Sequence, residues 1–412
     1  GKHRIKATLN QIARGWLQRR KIEPPPLPAA RPIRERPTIL VAAEIMHSNH
    51  VQYRYFGQYL RQLRTAFRLV LVTERREIDE HNIKLFDEHH GFERERTGAY
   101  LAKVVEIARA VGPDIVFWPS VGMRHWGTAL ANLRLAPIQM TGLGHSASTF
   151  SPTVDYYLIE EGYVGDPTLF SETVILLPDE TFRFERMPGL VSPAPAIREV
   201  ARPLRVVLPS NLLKLNPRFL NVLARIRAAA TRPLELHVFP NVAGVELEAG
   251  RVMVQRYLPG ATVHPVLRYE RYLELLNACD LNLSPFPFGG LHSVVDSLRQ
   301  GVPVVALEGE EPHARTDAML LRLLGMPAWL VVGTEEEYAA AALRLIEDDA
   351  LRVEVSRAAL ACDVDGRLFG DATTPLGRDV VDAVTWLHRH HEAIQASGKK
   401  AWSAPERAGF GG

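Results

Sequence analysis

The run DLNLSPFPFGGLHSVVD at residues 280–296 constrains the fold more than any other part of the chain. Its apolar beginning, 280–284, predicts a strand, and the Pro/Gly-rich 285–290 predicts a turn. A helix then begins at 291–293. A doubly wound α/β sheet presents backbone N–H groups and a helix N-terminus to a phosphate in this way. The run lies far from the N-terminus, so we expect a first domain of similar size before it.

Short apolar segments alternate with helical segments along most of the chain, which predicts parallel sheets. The first alternation begins with TILVAAE at 38–44, and a Pro- and Arg-rich stretch at 184–203 marks a boundary. A second alternation begins with a strand at 204–209. We therefore predict an α/β protein with two Rossmann-like domains, at residues 37–195 and 196–372.

A basic helix and a proline-rich linker are expected at residues 1–36. Ile5, Leu9, Ile12 and Trp16 fall on one face of this helix. We expect the helical arm to dock on the body of the protein or on a further N-terminal domain, and binding to a membrane surface is the alternative.

The C-terminal segment is expected to have two parts. A helix at 373–395 is predicted to cross back to the first domain. Residues 396–412 are predicted to be a disordered tail.

The composition is that of a globular protein, with 46% apolar and 23% charged residues in 412. A net charge of +2 gives no support for nucleic-acid binding. The cysteines, Cys279 and Cys362, do not form a disulfide framework and fit a reducing compartment. No apolar run is long enough to span a bilayer. These features predict a cytoplasmic location.

Polar clusters follow three predicted strands of the second domain. Ligands of an open parallel sheet bind outside the carboxyl ends of its strands, and all three clusters fall there. The residues predicted to bind the ligand of the second domain are Ser210, Asn211, Lys214, Pro240, Asn241, Gly289, Gly290, Leu291, His292, Ser293 and Asp296.

Lys214 is the only lysine between Lys103 and Lys399, in a chain that otherwise uses arginine there. Its compact ammonium suits a phosphate, while chance retention on a solvated face is the alternative. With the helix start at 291–293, Lys214 is predicted to hold a pyrophosphate, and Asp296 to reach a ribose hydroxyl. The helix terminus would compensate the charge of a leaving nucleoside diphosphate, so neither a metal nor a cofactor is expected.

Histidines follow two predicted strands of the first domain. His47 and His50 come just after the first strand, with Arg54 in the same segment, and His145 lies in GHSAST at 144–149. A neutral histidine at a strand end can act as a general base or orient an acceptor. The alternative is a surface or capping role.

Long runs between about Thr38 and Asp365 resemble the bacterial cytoplasmic protein N-glucosyltransferases that modify adhesins. These enzymes are relatives of O-GlcNAc transferase among the glycosyltransferases of family 41. The matching runs are HVQYR, GPDIVFWPSVGM, NLRLAPIQ, GLGHSAST, DYYLIEEGYVG, FSET, LLKLNPRFLNVL, RYLELLNACDLNLSPFPFGG, GEEPHARTD and LLGMPAWLV.

The resemblance implies a GT-B architecture of two facing Rossmann-like domains, with the acceptor on the first domain and the UDP-sugar on the second. It also implies an inverting, metal-independent transfer to a protein side chain. In the family pattern Lys214 contacts the donor diphosphate, 291–293 supply helix-start contacts and Asp296 meets the ribose. His50 matches the active-site histidine near the acceptor, and His145 the histidine beside the donor sugar.

The chain departs from the family in two places. The family's phosphate turn reads roughly FGNTNGIVD, whereas this chain has FGGLHSVVD. The family also carries a sizeable helical or repeat domain before the catalytic body. The donor sugar and the acceptor are therefore open, and a further N-terminal domain or a partner subunit is possible.

The leading hypothesis is a UDP-hexose:protein glycosyltransferase, with glucose as the sugar and Asn, Ser or Thr as the acceptor. One alternative is a transferase of the same fold that acts on a glycan, a lipid or a small molecule. A UDP-sugar epimerase and a non-catalytic nucleotide-sugar-binding partner are further alternatives.

Overall fold

The computed structural model describes residues 4–28, 34–95 and 98–410. The strands are β1 Thr38–Ala42, β2 Arg68–Glu74, β3 Glu88–Phe92, β4 Ile115–Trp118, β5 Ile138–Gly142, β6 Tyr156–Glu160, β7 Thr173–Leu177, β8 Phe184–Glu185, β9 Leu204–Leu208, β10 Leu234–Val238, β11 Thr262–Val263, β12 Leu281–Leu283, β13 Val304–Leu307, β14 Val331–Val332, β15 Phe369–Gly370 and β16 Ala401–Trp402. The helices are α1 Arg4–Arg19, α2 Val51–Arg64, α3 Ala99–Val111, α4 His125–Leu130, α5 Pro217–Ala229, α6 Gly244–Tyr257, α7 Tyr269–Asn277, α8 His292–Arg299, α9 Thr316–Leu323, α10 Glu335–Glu347, α11 Asp349–Ala361, α12 Val364–Leu368, α13 Asp379–Ser397 and α14 Ala404–Ala408.

The chain divides into two compact units, one of residues 1–188 with 369–412 and one of residues 189–368. In the described part of the first unit the main sheet has the order β16-β7-β6-β5-β4-β1-β2-β3, and all its neighbours run parallel. The strand order reverses between β1 and β4. Loops that follow these two strands therefore meet at one edge of the sheet, where ligands of such folds bind.

The second unit has the strand order β11-β10-β9-β12-β13-β14, again with parallel neighbours. This order is that of dinucleotide-binding sheets, and it reverses between β9 and β12. Both strands are built from apolar residues that the flanking helices bury, such as Val206 and Leu281 at 0% exposure. The loops after β9 and β12 are thus neighbours at the switch point.

Among the elements that sequence patterning missed, β3 and α6 escaped for different reasons. β3, with the sequence EHHGF, is an edge strand that pairs only with β2 among the described strands, so most of its side chains stay partly exposed and polar. α6 buries a narrow face of Leu247, Gly250 and Val254. That face is too sparse for a clear helical pattern.

Helix α1 docks on the first unit, but only Trp16 of the four apolar residues predicted to share a face packs on the core. Ile5, Leu9 and Ile12 are 66%, 49% and 59% exposed. The docked face carries Asn10 instead, whose amide donates to Thr149 O at 2.9 Å and whose Oδ1 accepts from Asn132 Nδ2 at 2.9 Å. Buried hydrogen bonds to the body decide the orientation, and Leu17 and Trp16 supply the apolar contact.

The prediction of a disordered tail at 396–412 was also wrong for residues 396–410, and residues 411–412 lie outside the described ranges. α13 packs on α2 and β7 of the first unit, and the following β16 adds a parallel strand beside β7. Trp402 is only 6% exposed. The centre of its ring lies 5.3 Å from that of Trp386 and 4.8 Å from that of Phe410. The tail is short of apolar residues, but its aromatic side chains are enough to hold it on the sheet edge.

Within the described ranges, none of the helices combines the length and the apolar composition needed to cross a bilayer.

Replacing Trp402 by Ala should lower the free energy of unfolding by about 3–5 kcal/mol, because a buried aromatic side chain would leave a cavity at the edge of the sheet. Urea unfolding followed by circular dichroism measures the change. Leu376→Ala is the control, since Leu376 lies in the same unit and is 42% exposed, and it should change stability by less than about 1 kcal/mol. Equal midpoints for Trp402→Ala and the wild type would show that the tail contributes no stability.

Candidate functional site

The structure brings Lys214 to the glycine turn at the switch point of the second unit. Lys214 follows β9, and its ammonium donates to Gly289 O at 2.5 Å in the turn after β12. The Nζ atom also lies 4.5 Å from the centre of the Phe288 ring. Asn216 donates to Phe286 O at 2.7 Å and ties the same two loops together. The residues predicted to hold a pyrophosphate therefore share one corner of the sheet.

Burial lowers the pKa of Lys214 to about 8, and the nearby Asp317 carboxylate partly offsets this effect. A buried ammonium with so little compensation gains stability from any further anion beside it. A bound diphosphate would raise the pKa again and hold the lysine in its charged form. This is the electrostatic property that a phosphate-binding lysine needs.

Asp317 stands behind the glycine turn and was not anticipated from the sequence. One carboxylate oxygen accepts from Gly290 N at 2.8 Å and the other from Leu291 N at 2.8 Å. The hydroxyl of Ser284 donates to the same carboxylate. The Leu291 N–H that was predicted to meet a phosphate is thus already engaged, and Leu291 takes a positive φ of 50°.

Close approach explains the two glycines of the turn. A Cβ atom on Gly289 would lie 2.6 Å from Thr316 Oγ1 and 2.7 Å from Asp317 Oδ1. A Cβ atom on Gly290 would lie 2.5 Å from Ser293 Oγ. Only glycine lets the backbone come this close to α8 and α9.

Two of the predicted donor residues carry buried hydroxyl groups. The hydroxyls of Ser210 and Ser293 are buried and have no hydrogen-bond partner in the part of the chain that the structure describes. His292, at the first turn of α8, is 9% exposed. The Ser293 hydroxyl lies beside the turn that Lys214 touches, where it can donate to a phosphate oxygen.

Asp296 lies deeper in α8 and is 2% exposed. Its Oδ1 accepts a hydrogen bond from the Tyr269 hydroxyl at 2.6 Å, so α7 also contributes a residue to the site. Sequence reasoning missed Tyr269 because it lies in an ordinary helical pattern with no motif. The tyrosine orients the carboxylate that was predicted to bind a ribose.

The remaining predicted residues shape the loops after β9 and β10. Asn211 caps the short helical turn 212–214 by accepting from Leu213 N at 3.2 Å. Pro240 O accepts from Leu212 N at 3.0 Å, which joins the two loops. Asn241 is exposed and takes a positive φ of 56°.

In the first unit a buried carboxylate organises the switch point between β1 and β4. Glu44 accepts hydrogen bonds from Gly122, Met123 and Arg124 backbone N–H groups at 2.9–3.2 Å and from the Ser120 hydroxyl. This holds the loop after β4 beside the loop that carries the histidines after β1. Glu44 is fully buried, so the geometry is rigid.

His145 lies next to that loop. A Cβ atom on Gly122 would lie 3.3 Å from His145 Cδ2 and from Nε2, and Gly122 has a positive φ of 129°. The Tyr157 hydroxyl donates to His145 O at 2.9 Å. A close backbone approach therefore sets the position of this ring.

His50 caps helix α2, and its Nδ1 accepts from Gln52 N at 3.2 Å. The remaining ring proton of the neutral imidazole is then on Nε2. Burial lowers the pKa of His50 to about 4, helped by His47 and Arg124. Because its basic lone pair is engaged in the cap, His50 is better suited to donate a hydrogen bond and orient an acceptor than to remove a proton.

The other two predicted residues of this group differ in exposure. The His47 ring packs edge-on to His50 with ring centres 5.4 Å apart, and its Nε2 lies 3.9 Å from Glu77. Arg54 is 3% exposed and lies one turn into α2. Arg54 is thus buried within the first unit.

Among the described residues, no three or more His, Cys, Asp or Glu side chains are grouped in a way that could hold a metal ion.

We expect the His50 ring to stay neutral at every pH above about 5 and to titrate at about pH 4. NMR of ring-labelled histidine across this range measures the midpoint and the tautomer. The matched variant Arg124→Met should raise the pKa of His50, since it removes the positive charge of Arg124. A midpoint near the ordinary value of about 6.5 would show that the ring is solvated and free of the cap.

Comparison with known proteins confirms the resemblance predicted from the sequence. The chain is 30% identical over 389 residues to UDP-glucose:protein N-beta-glucosyltransferase of Actinobacillus pleuropneumoniae serotype 5b, covering 92% of this chain and 61% of that protein. A probable UDP-N-acetylglucosamine–peptide N-acetylglucosaminyltransferase, SPINDLY of Petunia hybrida, is 30% identical over 229 residues, covering 52% of this chain and 24% of that protein. No protein-family model matches the chain.

The solved structures show the same fold. The O-GlcNAc transferase of Thermobaculum terrenum matches with a TM-score of 0.71 at 22% identity, over 94% of this chain and 75% of that chain. The predicted fold class, α/β with two Rossmann-like domains of the GT-B type, is confirmed. The chain spans about 61% of the length of its N-glucosyltransferase relative.

Proposed function

We propose that this chain is an inverting glycosyltransferase that moves a hexose, glucose by preference, from a UDP-sugar to a protein side chain. The acceptor atom would be the amide nitrogen of Asn or the hydroxyl of Ser or Thr. The observation that carries the proposal is the meeting of Lys214 with the glycine turn at the switch point of the second unit. The likeness to a UDP-glucose:protein N-beta-glucosyltransferase supports the choice of donor and acceptor.

In the proposed reaction the UDP moiety binds at the switch point between β9 and β12. Lys214 and the hydroxyl of Ser293 meet the diphosphate, and Asp296, oriented by Tyr269, accepts from a ribose hydroxyl. The N-terminal end of α8 adds its partial positive charge. Asp317 takes no part in binding but holds the turn in the shape that the diphosphate needs.

The chemical step is an in-line displacement at the anomeric carbon. The bond from that carbon to the acceptor atom forms while the bond to the diphosphate oxygen breaks. Negative charge develops on the leaving diphosphate, and Lys214 and the helix terminus stabilise it without reorganisation. We therefore propose that transfer needs no metal ion and no cofactor.

We propose that the acceptor substrate binds beside His47 and His50 in the first unit. Neutral His50, with its proton on Nε2, would donate to the acceptor and fix its direction, and His47 and Arg54 would shape the surroundings. His145 would donate to the sugar. An Asn amide is a poor nucleophile, so positioning rather than proton removal is expected to supply most of the rate. The two free cysteines fit the proposed cytoplasmic location.

Incubation with UDP-glucose, UDP-galactose and UDP-N-acetylglucosamine, together with a mixed pool of Asn-, Ser- and Thr-containing peptides, tests the proposal. We expect UDP release together with a gain of one hexose on a peptide, and fastest with UDP-glucose. Chelation by EDTA should leave the rate unchanged. UDP release and peptide mass are read from the same reaction.

Other outcomes contradict specific parts of the proposal. UDP release without peptide modification would move the acceptor to a glycan, a lipid or a small molecule. Conversion of one UDP-sugar to another without an acceptor would identify an epimerase. UDP binding without turnover would contradict catalysis by this chain alone and would direct attention to a further domain or a partner subunit.

Replacing Lys214 by Met should lower kcat/KM by about 10²–10³-fold, as the loss of an oxyanion donor does in other enzymes. In the wild type, affinity for UDP should fall as the pH rises through about 8, because the ammonium is lost. Lys214→Arg should remove this dependence, since arginine stays charged. Calorimetric titration with UDP between pH 7 and 9.5 measures the affinities of the wild type and of Lys214→Arg, and the transfer assay measures kcat/KM of Lys214→Met.

The control is Arg218→Met, which removes an exposed cation from the same unit and should leave affinity for UDP unchanged. The pH effect should not come from unfolding, because the unfolded chain, with a lysine pKa of 10.5, binds more protons than the folded chain above pH 8. The Lys214 contribution to stability therefore rises with pH over this range. An unchanged kcat/KM in Lys214→Met would overturn the assignment.

A further inference from the structure

Helix α1 places a partly buried ammonium, that of Lys6, on the turn that carries His145. Lys6 donates to Ser148 O at 2.8 Å and lies 3.5 Å from Ala147 O. The same Nζ atom is 3.5 Å from His145 Nδ1. The arm that precedes the first domain in sequence therefore contacts the GHSAST turn directly, through backbone and ring together.

The opposite side of the same turn is held by a carboxylate. Glu172, 1% exposed, accepts from Thr149 N at 2.8 Å and from Ser148 Oγ at 2.7 Å. Lys6 thus engages carbonyl groups of the turn, and Glu172 engages its N–H and hydroxyl groups. A turn with both kinds of backbone group satisfied by charged partners has one conformation available to it.

The contact with Lys6 has a consequence for the His145 ring. An ammonium can only donate hydrogen bonds, so Lys6 can form one with His145 Nδ1 only when that nitrogen carries a lone pair and no proton. The proton of the neutral ring is then on Nε2, on the edge that lies against Gly122. The Nε2–H group can donate, whereas the alternative tautomer would present a lone pair there.

We propose that Lys6 is a positioning residue, which fixes the Nε2–H tautomer and the orientation of His145 and so makes α1 a working part of the site. The sugar-binding role of His145 rests on the proposed function. The tautomer of His145 does not rest on the proposed function, because it follows from contacts within the first unit. Asn10, which also donates to the turn through Thr149 O, holds α1 in the register that this contact requires.

The charges around Lys6 set the pH at which the contact should fail. Burial lowers the pKa of Lys6 to about 8, while Glu172 and Glu44 favour its charged form. Lys400 lies near Glu172 as well, and its pKa is also lowered by burial. Once Lys6 has lost its proton, its amine can accept a hydrogen bond from Nδ1, so both tautomers of His145 become accessible.

NMR of the full chain with ¹⁵N-labelled histidine tests the proposal, with His145→Gln to assign the ring signals. In the wild type at pH 7 we expect an unprotonated Nδ1 and a protonated Nε2. Above about pH 8.5 the two signals should move toward those of mixed tautomers. Lys6→Met should show mixed tautomers already at pH 7, and Lys6→Arg should keep the wild-type pattern at both pH values.

Gln11→Met is the matched control, because Gln11 is an exposed polar residue on the same helix and should change nothing. In the transfer assay we expect Lys6→Met to lower kcat by about 10–100-fold, as misplacement of a positioning group does. The dissociation constant for UDP should stay unchanged, and Lys6→Arg should restore most of the rate. The pH–rate profile alone would not serve, because Lys214 titrates near the same pH.

The outcomes separate the two proposals. Wild-type ring signals in Lys6→Met at pH 7 would overturn the role of Lys6, whatever the rates. Altered ring signals in Lys6→Met with an unchanged kcat would show that the tautomer is set by Lys6 but not used, which would also overturn it. Altered ring signals in Lys6→Met, together with a wild-type chain that transfers no sugar, would support the contact and would overturn the proposed function instead.

Discussion

Both candidate sites depend on a buried carboxylate that accepts backbone N–H groups from an irregular loop at a switch point. Glu44 holds the loop after β4 in the first unit, and Asp317 holds the turn after β12 in the second. Each carboxylate exchanges water for several hydrogen bonds, and this compensates much of its desolvation. Without these two carboxylates, the N–H groups of the loop beside the histidines and of the glycine turn would lose their hydrogen-bond acceptors.

The anchor in the second unit also limits how a phosphate can bind. Asp317 engages N–H groups that a bare helix terminus would offer to an anion, and its own charge disfavours another anion nearby. In the proposed function Lys214 offsets this repulsion, because it lies on the carbonyl side of the same turn and would gain its full charge on binding a diphosphate. In the proposed function the Asp317 carboxylate therefore shapes the turn, and the Lys214 ammonium provides the affinity for the diphosphate.

The histidines of the first unit are specified by their neighbours rather than by their own chemistry. His50 gives its Nδ1 lone pair to the cap of α2, and the Lys6 ammonium faces the same atom of His145. Both neutral rings then carry their proton on Nε2. The geometry favours hydrogen-bond donors that orient sugar and acceptor, which suits a displacement in which positioning supplies much of the rate.

The sequence by itself determined the two parallel sheets, because alternating apolar strands and amphipathic helices have few other ways to bury their surfaces. It also determined that 210–214 and 289–293 would meet, since the carboxyl ends of neighbouring parallel strands share an edge. Only the tertiary structure decided the docked face of α1, the ordered tail around Trp402 and the partners Asp317 and Tyr269. Those depend on hydrogen bonds and aromatic contacts between residues at least eight positions apart, which leave no periodic signal in a single sequence.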